Sequence, residues 1–199
     1  MRHAWIFAMV GLLFAAQPAQ AEGPLDVGLL LGGTVATDEG TVLQFGRART
    51  FQATLAWRMM SHNGMSVAFE VPFLASPAFE VKTPGNSLPL EYASLYLTPG
   101  IRVSVPIHSA VSVFGSVSGG YARYSESKHR VDGSANPNQL DTNTGAFGFG
   151  GGIDIRGFGW LGFRGEVRDI VTGARRFSIS TPGPTVHNIA TSGGLVVRF

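Results

Sequence analysis

The side chains that could carry out acyl-transfer chemistry in this sequence lie in a polar segment. Ser125, Ser127 and His129 are spaced two residues apart. A serine hydroxyl beside an imidazole is the arrangement with which hydrolases and acyltransferases form a covalent intermediate. These residues match no local pattern of such enzymes, and polar residues are ordinary in loops. We therefore predict no catalytic residue and keep a lipid-modifying enzyme as the least favoured alternative.

Other patterns that could bind a ligand are weaker. Ser178 and Ser180 precede His187 and form a second, looser group of serines and a histidine. The segment Gly157-Phe-Gly159-Trp-Leu-Gly162 spells GxGxxG, which binds a dinucleotide only where it opens a helix. Here it leads into an alternating segment, which favours a tight turn. No histidine pair has ligand spacing and the chain has no cysteine, so the sequence predicts neither a metal nor a cofactor.

The N-terminus has the pattern of a secretory signal. A short positive segment, Met1–His3, precedes the uncharged apolar run Ala4–Ala16. Small residues with Ala-x-Ala spacing follow, so we expect cleavage before Glu22. The apolar run is shorter than the roughly 20 residues that a membrane-spanning helix needs. The sequence thus predicts a cleaved signal peptide over 1–21 and one domain over 22–199.

The composition indicates β-structure in an apolar environment. The chain has 27 Gly and 14 Phe, and 14% of its residues are charged, against about 25% in a typical soluble domain. No second apolar block of spanning-helix length exists, so the apolar residues must be dispersed at short period. The net charge is only +2, which gives no reason to expect a nucleic-acid partner.

Apolar and polar residues alternate in eight segments, which is the pattern of half-buried strands. The predicted strands are Leu25–Gly33, Thr50–Met60, Met65–Leu74, Tyr92–Val105, Ala110–Tyr124, Thr144–Arg156, Trp160–Val171 and His187–Phe199. Pro99 interrupts the fourth strand and predicts a bulge at Pro99-Gly100, because proline cannot donate to the ladder.

The connections between these strands alternate in length. Four are long and polar, and three are tight turns. The long ones are Thr34–Arg49, Ala75–Glu91, Ser125–Asn143 and Thr172–Val186. Long and short connections alternate in this way when an up-and-down barrel has both termini at one end, as in bacterial outer-membrane barrels. We therefore predict an all-β, closed, antiparallel, eight-stranded transmembrane barrel, with a soluble barrel or sandwich as the alternative.

The charges lie almost entirely on the even-numbered face of the strands. On the odd face only Arg123 and Asp169 are charged, both near loop ends. An Arg or Lys facing lipid near the midplane costs about 2–4 kcal/mol, so the even face should point inward. Charges in so narrow a lumen must pair. The expected lumen charges are Asp26, Arg58, Glu70, Arg102, Asp154, Arg156, Arg164, Glu166, Arg168 and Arg198.

The C-terminal residues carry a family resemblance. Ser192, Gly194, Val197 and Phe199 resemble the β-signal of outer-membrane proteins, with Val197 where an aromatic residue is usual. The mature chain resembles the small eight-stranded outer-membrane barrels, the family of the OmpA transmembrane domain, OmpX and OmpW. The resemblance implies a monomer in the cell outer membrane of a Gram-negative-type bacterium. It also implies contact with lipid and lipopolysaccharide, and folding by the β-barrel assembly machinery.

The fold of this family does not select a function. The inner charges favour a structural or surface-interaction barrel that is filled throughout by its charge network and has no open pore. The alternative is a lateral conduit for small hydrophobic molecules, which would need an apolar inner pocket beneath the loops. An enzyme would place His129 and a serine hydroxyl within hydrogen-bond reach.

Overall fold

A computed structural model describes residues 23–36, 46–80, 91–130, 132–137, 139–173 and 185–199. Their regular structure is nine β-strands. These are β1 (Leu25–Ala36), β2 (Arg47–His62), β3 (Met65–Glu80), β4 (Glu91–Leu97), β5 (Gly100–His108), β6 (Val111–Glu126), β7 (Asp141–Arg156), β8 (Leu161–Gly173) and β9 (Thr185–Arg198). In the described part of the chain, no helix is long and apolar enough to cross a membrane. The predicted signal peptide, residues 1–21, lies outside the described residues and stays a prediction.

The strands form one closed sheet in which every pairing is antiparallel. Consecutive strands pair with each other except β4 and β5, and β1 also pairs with β9, which closes the ring. β4 and β5 both lie between β3 and β6. They are therefore two halves of one barrel strand, and the predicted eight-stranded up-and-down barrel is confirmed.

The predicted bulge at Pro99-Gly100 is wrong, although the strand is interrupted there. Leu97 pairs with Phe73 before the interruption. Gly100 pairs with Glu70 after it, so both strands advance by three residues and none is inserted. Proline removes one N–H from the ladder, but the Pro99 carbonyl still accepts a hydrogen bond from β6. One missing donor interrupts the pairing without shifting its register.

Three bulges occur elsewhere. The register shifts between Arg58 and Met60, between Ser76 and Phe79, and between Pro106 and His108. The first and third lie close to the tight turns. The second lies near the loop end of β3, where it reverses the parity of the strand so that an odd-numbered residue, Phe79, is buried.

The strands extend further towards the long loops than the sequence predicts. β2, β3, β6 and β7 each have 16 residues. The alternation of buried and exposed positions continues there, but the buried positions hold small polar residues such as Thr34 and Thr50. These residues do not produce a hydrophobic pattern in the sequence. Most of three predicted loops, residues 37–45, 81–90 and 174–184, lies outside the described residues.

The orientation of the two faces is as predicted. The even-numbered positions of β1, β8 and β9 are mostly buried and their odd-numbered positions are mostly exposed. Large apolar side chains cover the outside, among them Leu31 (64% exposed) and Val167 (51%). Aromatic residues lie on the same surface towards the tight turns, at Trp57 and Trp160, and towards the loops, at Phe147. This is the reverse of a soluble barrel and has the form of one that spans a membrane.

Replacing an outward leucine by arginine tests this surface. Leu29 is 57% exposed in the middle of β1, so Leu29→Arg should lower the free energy of unfolding in lipid vesicles by about 2–4 kcal/mol. The control is Phe158→Arg in a tight turn, where the side chain is 89% exposed and a cost of about 0–1 kcal/mol is expected near the interface. Urea titration measures both, and equal small losses would contradict a lipid-facing surface.

Candidate functional site

The predicted lumen charges come together inside the half of the barrel nearest the termini and the tight turns. Arg58 and Arg198 are half-buried, and Arg156 is exposed at the turn end of β7. The other seven, all buried, are Asp26, Glu70, Arg102, Asp154, Arg164, Glu166 and Arg168. The ladder of alternating strands places them there, because each occupies an even-numbered position.

One ion pair joins opposite sides of the barrel. Arg168 on β8 donates from Nη2 to Glu70 Oε1 on β3 at 2.8 Å, and from Nε to Glu166 Oε1 at 3.1 Å. In the ring of eight barrel strands, β3 and β8 are four positions apart, so the Arg168–Glu70 pair spans the lumen. Arg168 is 1% exposed and Glu70 is 0% exposed. Charges buried this deeply are tolerated only when they are paired.

A second pair crosses the lumen closer to the tight turns. Arg102 on β5 donates from Nη2 to Asp26 Oδ2 on β1 at 2.8 Å, and its Nη1 lies 3.8 Å from Glu70 Oε2. Arg58 Nη2 lies 4.0 Å from the other oxygen of Asp26. Arg102 therefore links the charges at the turn end to the Arg168–Glu70 pair.

The remaining arginine of the interior is held in a fixed orientation. Arg164 binds Asp154 through two parallel bonds, Nε to Oδ1 at 2.7 Å and Nη2 to Oδ2 at 2.8 Å. Arg198 Nη2 lies 3.5 Å from the same carboxylate. The Phe114 ring lies 4.9 Å from the Arg164 guanidinium carbon and 5.6 Å from that of Arg102. A bidentate carboxylate and a π-face together hold the plane of this guanidinium.

Two neutral residues extend the network and were missed by a search for charges. Gln52 Nε2 donates to Glu166 Oε1 at 2.7 Å, and Ser192 Oγ donates to Gln52 Oε1 at 2.9 Å. Both occupy even-numbered positions, so the parity pattern that located the charges could have found them. Glu166 Oε1 thus accepts hydrogen bonds from Gln52 on β2 and from Arg168 on its own strand.

The expectation that charges fill the lumen throughout is wrong, because apolar and aromatic side chains form a buried cluster in its loop half. Phe79 stacks on Tyr92 with ring centroids 4.8 Å apart, and Tyr124 contacts Tyr92 and Tyr96 edge-on at 6.1 and 6.0 Å. We call these four rings the aromatic cluster. The surrounding buried residues are Ala36, Ala48, Leu74, Ala122, Ala146, Ile170 and Ala190.

Hydroxyl groups connect the aromatic cluster to neighbouring strands. Tyr124 Oη lies 2.7 Å from Thr172 Oγ1 and accepts a hydrogen bond from Asn188 Nδ2 at 3.3 Å. Tyr92, Tyr96 and Tyr124 occupy even-numbered positions, so the parity pattern of the sequence places them on the inner face. Phe79 was not, because the bulge between Ser76 and Phe79 reverses its parity.

In the first predicted group of serines and a histidine, no hydrogen bond joins the imidazole to a serine hydroxyl among the described residues. The bond between His129 and Ser127 runs from the main-chain N–H to Oγ at 3.2 Å and does not use the imidazole. Ser178 and Ser180 lie outside the described residues. His187 Nδ1 lies instead 2.7 Å from Asp169 Oδ2 on the outer surface.

The two charges predicted on the odd face also have partners. Arg123 Nη2 donates to Asp141 Oδ2 at 2.5 Å on the outside of the barrel near the third loop. Asp169 on β8 pairs with His187 on the neighbouring strand β9. These outward polar pairs lie near the loop ends of their strands, as the sequence predicts.

Two further sequence patterns have structural roles. The GxGxxG segment is a turn between β7 and β8, with Gly159 at a positive φ of 56°, and no helix follows it. In the C-terminal segment Ser192 is buried, while Gly194 lies so close to Leu29 and Leu30 that a Cβ would meet their backbone. Phe199 N donates to Leu25 O at 2.9 Å and so continues the hydrogen bonding between β9 and β1. Recognition of Ser192, Gly194, Val197 and Phe199 by assembly machinery stays a prediction.

Comparison with known proteins identifies the fold. No protein-family model matches the chain, and no curated protein sequence matches it significantly. The solved structure of Neisserial surface protein A is similar, with a TM-score of 0.63, 12% identity, and coverage of 89% of this chain and 98% of that one. The structure of Ail of Yersinia pestis has a TM-score of 0.52 and 12% identity, and the match covers 88% of this chain and 99% of that one. The N-terminal barrel of Pseudomonas aeruginosa OprF has a TM-score of 0.51 and 6% identity, and the match covers 88% of this chain and 96% of that one. This chain therefore has the fold of small outer-membrane β-barrels.

Removing the cation that spans the lumen should destabilise the barrel. Arg168→Met leaves Glu70 and Glu166 without their shared partner, so the free energy of unfolding should fall by about 3–5 kcal/mol. Arg123→Met removes an arginine of the same type from an exposed pair and should have a far smaller effect. Denaturant titration in vesicles measures the difference, and similar values for both variants would contradict a buried network.

Proposed function

We propose that this protein is a monomeric, closed outer-membrane barrel with a structural or surface-interaction role and no open pore. The observation that carries the proposal is the Arg168–Glu70 ion pair, which joins opposite walls of the lumen. An eight-stranded barrel has an interior just wide enough for side chains to fill. A pair across its diameter therefore occupies the path that an ion would take.

Several features support the membrane location. Exposed apolar side chains such as Trp57 and Val167 cover the outside of the barrel. The sequence begins with a predicted signal peptide, and the C-terminal strand resembles a β-signal. In that location the outward surface would contact lipid and lipopolysaccharide, and the assembly machinery would read residues 192–199. The fold likeness is consistent with all of these and adds no particular activity.

The two halves of the lumen support closure in different ways. In the turn half, paired charges hold the walls together. In the loop half, Leu74, Phe79 and Tyr92 are each 0% exposed, so their side chains fill the space between the walls. A barrel closed at two levels favours a role for its outer surface and loops over transport through its centre.

The aromatic cluster also favours a second candidate, a lateral conduit for small hydrophobic molecules. Such a conduit needs an apolar interior beneath the loops, and the cluster supplies one. Its rings are packed together, so the conduit would require them to separate. An enzymatic role has less support, because the His129 imidazole takes no part in the bond to Ser127.

Fractionation tests the location. The processed protein should be recovered with outer membranes, and it should migrate differently on gels before and after boiling because a closed barrel resists unfolding by detergent. A variant shortened by the nine residues of β5, Gly100–His108, lacks half of one barrel strand and should lose the heat-dependent shift. Recovery of the wild-type protein in the soluble periplasmic fraction would contradict the proposal.

Planar-bilayer recording tests closure. The wild-type protein should give no stable, large single-channel conductance, because paired side chains occupy the lumen. Glu166→Leu removes the acceptor shared by Arg168 and Gln52 and should lower stability by about 3–5 kcal/mol. Glu166→Gln keeps an acceptor oxygen and is the matched, milder variant.

The possible results separate the candidates. Long-lived openings of the wild-type protein like those of general porins would contradict the closed barrel, as would a Glu166→Leu variant with unchanged stability and conductance. Entry of a small apolar solute into vesicles without ion conductance would favour the lateral conduit.

A further inference from the structure

A polar cavity opens at the tight-turn end of the lumen. Its volume is about 340 Å³, and its lining includes Ser61 near the end of β2 and the turn residues Gly64 and Ser109. Binding pockets for small molecules have volumes of roughly 300–1,000 Å³, so this space has the size of a small-ligand site. The ion pairs above it and the aromatic cluster beyond them close the other direction. Access is therefore from the tight-turn end of the barrel, where β1 begins and β9 ends.

The cavity holds the entire positive excess of the ten predicted lumen charges. Its charged lining consists of four arginines and two aspartates, which are Arg58, Arg102, Arg156, Arg198, Asp26 and Asp154. These sum to +2. The four other lumen charges, two arginines and two glutamates, sum to zero and lie deeper. Since like charges in a confined, partly dehydrated space repel one another strongly, an anion in the cavity lowers the energy of this arrangement.

Arg102 supplies an independent reason to place an anion here. It lines the cavity and is 3% exposed. Its Nη2 is bonded to Asp26, but its Nε and Nη1 have no hydrogen-bond partner among the described residues. The nearest carboxylate oxygen to Nη1, on Glu70, is 3.8 Å away, beyond hydrogen-bond length. Buried donors of a charged group are costly to leave without an acceptor.

We propose that this cavity binds a small oxyanion, a carboxylate or a phosphate, that enters from the tight-turn end. Both groups offer several acceptor oxygens to guanidinium donors. Five serines also line the cavity, and their hydroxyls are further donors. An apolar ligand would leave these groups unsatisfied, and a cation would meet four arginines. The site goes beyond the proposed function, because a closed structural barrel requires no ligand.

Titration calorimetry on the purified, folded barrel in detergent tests the site. The two probes are inorganic phosphate and succinate, titrated separately at low chloride concentration. Saturable binding of either probe with one site per chain is the expected result. Binding of phosphate alone or of succinate alone supports the site and assigns the anion to one source, and binding of both supports the shared chemistry.

Charge-removing variants locate the binding. Arg58→Gln and Arg156→Gln lie at the open side of the cavity, and each should weaken binding about tenfold, because a charge-assisted contact is lost. Arg49→Gln removes the same charge from the exposed outer face and should leave the affinity unchanged. The heat-dependent shift on gels verifies that all three variants are folded.

Three results would overturn the proposal. One is the absence of saturable binding of both probes to the folded wild-type protein. Another is unchanged affinity in both Arg58→Gln and Arg156→Gln. The third is an equal loss in Arg49→Gln, which would mean that the anion responds to net charge and not to the cavity.

Discussion

A backbone surrounded by lipid has no water with which to form hydrogen bonds, and this requirement determines the rest of the molecule. Every N–H and C=O of a spanning strand must be bonded to a neighbouring strand, so the sheet has to close. Here the seam between β1 and β9 closes it over a continuous register from Asp26–Arg198 to Ala36–Asn188. Closure at eight strands leaves a narrow interior that is filled mainly by side chains. The inward residues must then satisfy one another, as the Arg168–Glu70 pair does.

The buried charges contribute more to selecting one arrangement than to net stability. Desolvation of two ions offsets much of their attraction, whereas loss of one partner leaves a charge stranded at high cost. In this barrel Asp26, Glu70 and Asp154 pair with arginines from other strands. Glu166 pairs with Arg168 of its own strand and accepts a hydrogen bond from Gln52 of β2. A shift in strand register would separate Asp154 from Arg164, which sit on paired positions of β7 and β8. The network therefore penalises incorrect strand pairing.

Parity made much of this structure predictable. Side chains alternate between two faces, so the location of ten charges on even positions indicated the lumen before any contact was known. Parity fails where a bulge inserts residues, and this is why Phe79 was missed. It also gives no distances, so it could not distinguish the exposed Arg156 from the buried Arg168. Nor could it show that aromatic rings occupy much of the loop half of the lumen, because Tyr92 and Tyr96 lie on the same face as Arg102. Pro99 was misjudged for a different reason, since a missing donor does not require an extra residue.

The aromatic cluster and the outward polar pairs both lie towards the loop end of the barrel. There the wall is polar outside and apolar inside, which is the reverse of its membrane-facing part. A 16-residue strand is about 54 Å long, and at the tilt of such barrels it rises about 40 Å, against an apolar band of about 25 Å. The loop end therefore projects from the hydrocarbon layer. There the wall has Arg123, Asp141 and His187 outside and packed rings inside, as in a water-soluble barrel. The hydrophobic effect thus stabilises the projecting end in water, and this stabilisation varies with temperature as that effect does. The stability of the embedded end depends on the surrounding lipid. One continuous sheet is in this way adapted to two solvents.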